Sequence, residues 1–368
     1  MKDRLPPLNV GSGEVSPKRA QESGARKRIL VAEARVPFAR DGAELHALAL
    51  VAELRRRGHD AESVALPFRA HKSELLDQAC AWRMLNLSSS NGRPIDLLIA
   101  TRFPTWFVRH PRKVAWVMHQ HRPAYELFGT EYSDFTDSDD DDRLRQQIID
   151  LDSRMLGECG RIVTNARNTA DRLKRFNGIE ARPLYHPPPI ADRLREGMYG
   201  DYVLVVARLE ALKRVGLVIN AMAHVPAPVR LIVVGDGSQR AALERDAAQS
   251  GAGSRIEFTG AVWGDAVADL YADALAVVYA PFDEDYGYVT LEAFLAAKAV
   301  ITATDSGGPL EFVVDGTNGF VSEPDPRAIA AAINRLAADR LLAERLGRAG
   351  RCVAQTIGWN GVVEELLG

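Results

Sequence analysis

The sequence predicts an α/β chain of two Rossmann-like β/α/β domains facing across a cleft. Short apolar runs alternate with amphipathic helical runs along most of it, the pattern of parallel strands covered on both faces. The alternation stops once, at Leu184-Tyr-His-Pro-Pro-Pro189, where consecutive prolines make a stiff extended connector, and then restarts. A length of 368 residues suits about two domains.

Residues 1–27 mix Pro, Gly, Ser and charges of both signs without the apolar core of a signal peptide, so a disordered tail is expected there. The first domain is placed at 28–190. It opens with a strand at 29–32 and a loop through Pro37, Phe38, Asp41, Gly42 and Ala43. A helix at 44–57 puts Ala47, Leu50, Val51 and Leu54 on one face and stops at Gly58. A strand at 61–66 and a helix at 72–85 follow, then a polar loop, Ser88-Ser-Ser-Asn-Gly92. Strands at 95–100 and 113–118, a helix at 143–156, a strand at 161–164 and a helix at 168–176 complete it.

The second domain is placed at 191–355. Strands are expected at 202–207, 229–234, 255–258, 275–280 and 300–302, with helices between them. The first of these helices is read at 212–223 and the next at 238–249. In the helix after 260, Val267, Leu270, Tyr271 and Ala274 share a face. A terminal helix within 356–368 is expected to pack back toward the first domain.

A formal net charge of −3 excludes a nucleic-acid binder that works through a basic field. Cys80, Cys159 and Cys352 stand far apart with no C-x-x-C pair. That argues against a disulfide framework or a zinc cluster and fits a reducing, cytoplasmic setting. No apolar run approaches ~18 residues, so no membrane span is expected.

The stretch Val277-Val-Tyr-Ala-Pro-Phe-Asp-Glu-Asp-Tyr-Gly-Tyr-Val-Thr-Leu-Glu292 carries the chemistry. A strand ends at Pro281, an acidic loop holds Glu284, and a helix holds Glu292. Two carboxylates so spaced can face one ligand from two sides. The helix start between them offers free N–H groups and a positive dipole end, which suits a phosphate. The plainer reading is an acidic turn capping a helix. Arg208 and Lys213 follow the first strand of the second domain and could neutralise a diphosphate together, one as a fork and one as a point charge. His119-Gln120-His121-Arg122 stands at a strand's carboxyl end, where ligand groups gather in open α/β sheets. A zinc site at His119 and His121 would lack a third ligand nearby in sequence. Gly235-Asp-Gly237 after a strand invites a nicotinamide reading, but the third glycine of G-x-G-x-x-G is missing because position 240 is Arg.

Glu284-Asp-Tyr-Gly-Tyr-Val-Thr-Leu-Glu292 resembles the E-x7-E signature of the retaining nucleotide-sugar glycosyltransferases of family 4, also called group 1, which have the GT-B fold. Further matches follow in register over residues 28–368. Asp41-Gly-Ala-Glu44 resembles the glycine loop after the first strand, with Asp in place of the first usual glycine. Leu54-Arg-Arg-Arg-Gly-His59, Val233-Val-Gly-Asp-Gly237 and Phe258-Thr-Gly260 also match, as do Gly307-Gly-Pro-Leu-Glu311 and Asp315-Gly-Thr-Asn-Gly-Phe320.

The resemblance implies a metal-independent hexosyltransferase acting on a nucleotide-diphosphate sugar, in glycan or surface polysaccharide synthesis. It needs no cofactor. Its acceptor would be a glycan, a lipid-linked molecule or a small molecule, and peripheral contact with the inner face of a membrane is open. Laid onto this chain, Glu292 would bind the donor ribose and Glu284 the transferred sugar. Backbone at Tyr286, Gly287, Tyr288 and Val289 would lie beside that sugar. Arg208 and Lys213 would hold the diphosphate. His119 would face the sugar from the first domain, with His121 as the fallback. Val262 would line the base, Gly235 would stand on the donor side, and the Gly42 loop would approach phosphate and acceptor.

Three other functions are weighed beside this one: a nicotinamide-dependent dehydrogenase or epimerase, a non-catalytic sugar-nucleotide binder, and a same-fold phosphorylase or synthase. Asp137-Ser-Asp139, within the run Asp134-Phe-Thr-Asp-Ser-Asp-Asp-Asp-Asp142, looks like the D-x-D that some sugar transferases use to hold a divalent ion. It follows no expected strand, and a solvated helix start is the simpler reading.

Overall fold

The computed structural model describes residues 26–38 and 42–368. All but the last two residues of the expected tail, and Asp41 of the first loop, lie outside the described residues.

The first sheet is formed by β1 (Arg28–Arg35), β2 (Asp60–Pro67), β3 (Leu97–Ala100), β4 (Lys113–Val117), β5 (Arg161–Thr164) and β6 (Arg182–Pro183), in the order β2-β1-β3-β4-β5-β6. Every pairing in it is parallel. Strands buried on both faces must be apolar throughout, and β3 and β4 are buried along their whole length. The covering helices are α1 (Gly42–Arg56), α2 (Leu75–Met84), α3 (Asp139–Leu156) and α4 (Arg167–Asn177).

The second sheet contains β7 (Tyr202–Val206), β8 (Arg230–Val234), β9 (Ile256–Gly260), β10 (Ala276–Val278), β11 (Val300–Ala303) and β12 (Gly319–Ser322). Its order is β9-β8-β7-β10-β11-β12, again all parallel. Chain order reverses between β7 and β10. That leaves a crevice beyond their carboxyl ends, the usual ligand position in such sheets. The helices here are α5 (Val215–Ala221), α6 (Arg240–Gln249), α7 (Asp265–Asp273), α8 (Tyr288–Leu295), α9 (Pro326–Ala338) and α10 (Arg340–Ala354). The last helix, α11 (Trp359–Leu367), returns to the first domain, where Val362, Val363 and Leu366 join a core with Ile29, Leu50 and Trp116. Among the described residues no helix is long and apolar enough to cross a membrane.

Three local expectations give way. The polar segment at 88–92 is part of a small antiparallel hairpin, Ser89–Ser90 with Arg93–Pro94. Asn91 and Gly92 both take positive φ, 50° and 71°, as a two-residue hairpin turn of the right twist requires. α3 begins at Asp139, before the expected 143, because Ser138 accepts a hydrogen bond from the Asp141 N–H and four aspartates sit in the first turn. Carboxylates there meet the positive end of the helix dipole. The helix read at 212–223 is broken at Arg214, which sits in the left-handed region at φ 48°. Its guanidinium forks onto Asp305 at 2.6 and 2.8 Å and also reaches the carbonyls of Ala280 and Pro281.

Helix α10 packs closely on α8, and its Gly347 permits the approach. A Cβ on Gly347 would lie 1.9 Å from the Ala297 carbonyl oxygen. Alanine gains about 1 kcal/mol of helix propensity over glycine, whereas a backbone clash inside a packed core costs about 1–3 kcal/mol. Gly347→Ala is therefore expected to lower the urea-unfolding stability; a variant as stable as the parent would contradict this packing.

Candidate active site

The two domains enclose a cavity of about 700 Å³. Gly42 and His119 line it from the first domain. Arg208, Lys213, Gly235, Val262, Glu284, Tyr286, Gly287, Tyr288, Val289 and Glu292 line it from the second. Apart from the fallback His121, each site residue expected from sequence thus lines this cavity. Most stand just beyond a strand's carboxyl end or at the start of α8.

The closeness of these strand ends has a local cause. Gly235 follows β8 at φ 138°, and a Cβ there would lie 1.8 Å from the Ala207 carbonyl oxygen. Only glycine lets the β8 end close onto the segment that carries Arg208. Arg208 is exposed, and among the described residues its side chain has no hydrogen-bond or ion-pair partner.

Glu284 sits in the loop after β10, which is stitched to the loop after β11. The Glu284 N–H donates to the Ser306 carbonyl at 2.9 Å, and the Gly308 N–H donates to the Glu284 carbonyl at 2.8 Å. Its carboxylate pairs with the Lys213 ammonium and accepts from the Tyr279 hydroxyl at 2.9 Å. Burial alone would raise this carboxyl, but Lys213 and Arg122 outweigh burial and hold it below its usual range. Glu292 on α8 has weaker support. It accepts from the Tyr271 hydroxyl at 2.7 Å, has no cation beside it among the described residues, and is pushed by burial up to about 7. Gly287 precedes α8 in the left-handed region at φ 82°, and Tyr288 and Val289 at the helix start line the cavity. The N–H groups that a helix start leaves free, and the dipole, favour an anion.

His119 faces the cavity with its Nδ1 on the Gln120 carbonyl at 2.7 Å. That bond places the proton on Nδ1 and leaves Nε2 as an acceptor. Burial lowers its pKa, so the ring is neutral. His121 does not reach the cavity. It packs between Phe103 and Phe135, with ring centroids at 5.8 and 6.2 Å, and burial takes its pKa down to about 3. Gln120 also turns inward, and its amide donates to the Asn177 side chain at 2.8 Å.

The structure adds a set of contacts between domains that sequence reading did not single out. Arg122 and Arg172, from the first domain, grip the Asp283–Asp285 loop of the second. Arg172 pairs with Asp283 at 2.8 Å and with Asp285, and donates to the Asp283 carbonyl at 2.7 Å. Arg122 donates to the same carbonyl at 2.5 Å and lies 3.6 Å from the Asp285 carboxylate. Burial would raise Asp285, but the two guanidinium groups hold it well below the usual carboxylate range. Asn168 donates to the Asp283 side chain and to the Glu284 carbonyl. Helix α4 has Ala166 at its N-cap, which offers no acceptor, and Glu311 fills the gap from the other domain. It takes the N–H groups of Arg167 and Asn168 at 2.9 and 2.8 Å and the Tyr185 hydroxyl at 2.6 Å.

Tyr288 contributes backbone at the cavity, but its hydroxyl points into the first domain, onto His186 Nε2 at 2.6 Å. His186 in turn meets His46 of α1 at 2.9 Å and stacks on Tyr286, centroids 4.6 Å apart. Of the side chains in these contacts, His46, Asn168 and Arg172 lay only in expected helices, whereas the others lay inside segments flagged in sequence. Asp285 and Tyr288 stood inside the central motif without any sign of their partners.

Two parallel-sheet domains with a shared cavity lined by basic and acidic strand-end residues define a GT-B protein. Residues 192–353, which hold the second sheet and its helices, match the family model of glycosyl transferases group 1. The chain is 28% identical over 231 residues to a D-inositol 3-phosphate glycosyltransferase of Xylanimonas cellulosilytica, covering 56% of this chain and 55% of that protein. The chain spans about half the length of the curated relatives it matches. Its fold is similar to a sucrose-phosphate synthase of Thermosynechococcus elongatus, with a TM-score of 0.75 and 17% identity over 93% of this chain and 97% of that one. It is also similar to HepE of Anabaena, in a structure containing UDP and glucose, with a TM-score of 0.68 and 17% identity over 93% and 99% of the two chains.

Removing one member of a buried charge cluster strands the others, at a cost of about 3–5 kcal/mol. Arg172→Ala is expected to lose about that much stability. Adding Asp285→Asn should restore part of it, giving a coupling of more than about 1 kcal/mol in a denaturation double-mutant cycle. Strictly additive losses would show that the two side chains do not depend on each other.

Proposed function

We propose that the chain is a retaining, metal-independent hexosyltransferase. It moves a sugar from a nucleotide-diphosphate donor to a hydroxyl acceptor in bacterial glycan or surface polysaccharide synthesis. One observation carries this reading: Arg208, Lys213, Glu284, Glu292 and the start of α8 all line one cavity between two domains. The names of the curated relatives and the UDP in the HepE structure point the same way.

Breaking the sugar–diphosphate bond sends its electron pair onto the diphosphate and leaves positive charge on the sugar. Arg208, Lys213 and the α8 amides would take the leaving charge. Fixed donors of this kind contribute about 3 kcal/mol each, on the order of a hundredfold in rate. Lys213 is matched with Glu284. An incoming diphosphate would compete for that ammonium and leave Glu284 to face the transferred sugar. His119 Nε2 would accept a sugar hydroxyl from the opposite wall. The acceptor oxygen attacks the anomeric carbon from the face the diphosphate leaves, and a departing phosphate oxygen takes the acceptor's proton. Two domains closed around the donor keep out the water that would otherwise hydrolyse it. The acceptor class is a glycan, a lipid-linked molecule or a small molecule.

Lys213→Ala and Arg208→Ala are each expected to cut turnover at least about tenfold with the fold intact by circular dichroism; parental rates in both would remove the diphosphate assignment. Glu292 must be ionised to accept from two ribose hydroxyls, and its carboxyl is raised to about 7. Donor KM should therefore rise as pH falls through about 7. Glu292→Gln should raise KM at pH 8 and flatten the profile, whereas an unchanged profile would place the ribose elsewhere.

A further inference from the structure

We propose that His46 and His186 are positioning residues for the reaction. Through the hydroxyls of Tyr286 and Tyr288 they hold the first turn of α8 against the first domain, and they do so only while both rings are uncharged. This rests on the reading of that turn as the place of the donor diphosphate.

Both imidazoles are completely buried where the two domains meet, and neither lines the cavity. His46 comes from α1 and His186 from the proline connector. Their facing nitrogens, His46 Nδ1 and His186 Nε2, are 2.9 Å apart. The Tyr288 hydroxyl closes a triangle, 2.6 Å from His186 Nε2 and 3.3 Å from His46 Nδ1. Tyr286 holds the backbone of the same histidine. Its hydroxyl accepts from the His186 N–H at 2.9 Å and donates to the His186 carbonyl at 2.6 Å. Tyr286 and Tyr288 flank Gly287, the N-cap of α8, which supplies no side-chain cap. Both neighbours of that glycine are thus tied to one histidine of the first domain. The Tyr288 ring also packs over Gly42, 3.5 Å from where a Cβ would stand, so a shift of Tyr288 reaches both cavity walls.

The protons in the triangle set its charge. A hydrogen bond between two imidazoles needs a proton on one facing nitrogen and a lone pair on the other. Whichever ring donates, a further proton on the accepting nitrogen sets two N–H groups against each other at 2.9 Å. On the far side, His46 Nε2 has no hydrogen-bond partner among the described residues, so a proton there is a buried charge with no acceptor. The rings face Trp116 of β4, Tyr286, Tyr288 and Trp359 of α11. The two phenols are raised by burial and keep their protons. Among the described residues the carboxylates that reach this cluster, Glu311 and Glu292, act on the phenols and not on the rings. Burial takes His46 down to about 3. Burial and the His46 contact take His186 well below its ordinary range, against the pull of the Leu184 backbone. Where the domains part, the rings meet water and return to the ordinary 6.5. The parted form then takes up protons that the joined form refuses. The hold on α8 is full above pH 6.5 and weakens as pH falls toward 3.

The test measures calorimetric binding of inorganic pyrophosphate to the whole chain at pH 8 and at about pH 5.5. Pyrophosphate has no ribose, which leaves Glu292 out of the comparison, and its own protonation is common to every variant. His186→Ala and Tyr288→Phe should each weaken binding at pH 8 about tenfold, the effect of leaving a buried hydrogen-bonding group without its partner. Their combination should lose no more than either alone. Tyr288→Phe decides the question if His186→Ala does not fold. His186→Gln with His46→Asn keeps uncharged hydrogen-bonding groups at the facing positions and cannot take up a proton. That pair should restore most of the parent affinity at pH 8 and gain on the parent at the lower pH. If His186→Ala and Tyr288→Phe bind pyrophosphate like the parent and lose only thermal stability, the histidines are structural and positioning is overturned while the diphosphate site stands. Additive losses would break the link through Tyr288, and a gain that does not change with pH would overturn the need for uncharged rings. If the parent binds neither pyrophosphate nor UDP, GDP or ADP, the diphosphate reading itself fails and positioning fails with it.

Discussion

Two guanidinium groups from one domain are driven into an acidic loop of the other, and the shape of the cavity follows from that contact. Arg172 is buried, and Arg122 and Asp285 are mostly so, with side chains 13% and 14% exposed. Taking such charges out of water costs several kcal/mol per ion, which their mutual attraction offsets only when the geometry is good. The network is therefore poorly suited to add stability and well suited to fix position. Glu284 lies between Asp283 and Asp285, so whatever sets those two carboxylates also sets the side chain that faces the cavity. The grip comes from the first domain, which means that the Glu284 wall is completed only when the domains are together. Glu311 and Tyr288 make the same link twice more, one by capping α4 and the other by reaching His186.

Within the cavity the charges are unevenly matched, and the mismatch is informative. Lys213 has a partner in Glu284, and among the described residues Arg208 has none and Glu292 has a tyrosine but no cation. An anion entering near Arg208 gains a free fork immediately and gains Lys213 by displacing a carboxylate. A neutral polyhydroxyl group suits Glu292, whose acceptor oxygens are poorly compensated and whose carboxyl is raised for that reason. A diphosphate joined to a ribose meets both demands in one molecule.

Much of this site could be read from sequence because its residues occupy places that local rules reveal. Arg208, Gly235, His119 and Glu284 follow apolar strands, and Glu292 sits at the helical spacing from a glycine-marked start. Strand ends and helix starts are what periodicity detects. Contacts between distant segments leave no such trace. Nothing near Asp285 indicates that Arg172, more than a hundred residues earlier, will neutralise it. His186 was read within a stiff proline connector, and stiffness says nothing about burial against Tyr286. Arg214 broke a helix with neither Gly nor Pro at the break itself, because its partners at Asp305 and Ala280 lie in other loops. The hairpin at Asn91-Gly92 differs, since its turn signal was present and the segment was read only as polar.

The central claim is that the gap between the domains holds a nucleoside diphosphate with its phosphates on Arg208, Lys213 and the first turn of α8. A crystal structure of the chain with UDP or GDP bound tests it most directly. It should show the pyrophosphate within hydrogen-bond distance of both cations and of the α8 amides, the ribose hydroxyls on Glu292, and the Lys213–Glu284 pair opened or lengthened. Density for the nucleotide on another surface, or phosphates in the cavity that touch neither cation, would contradict it.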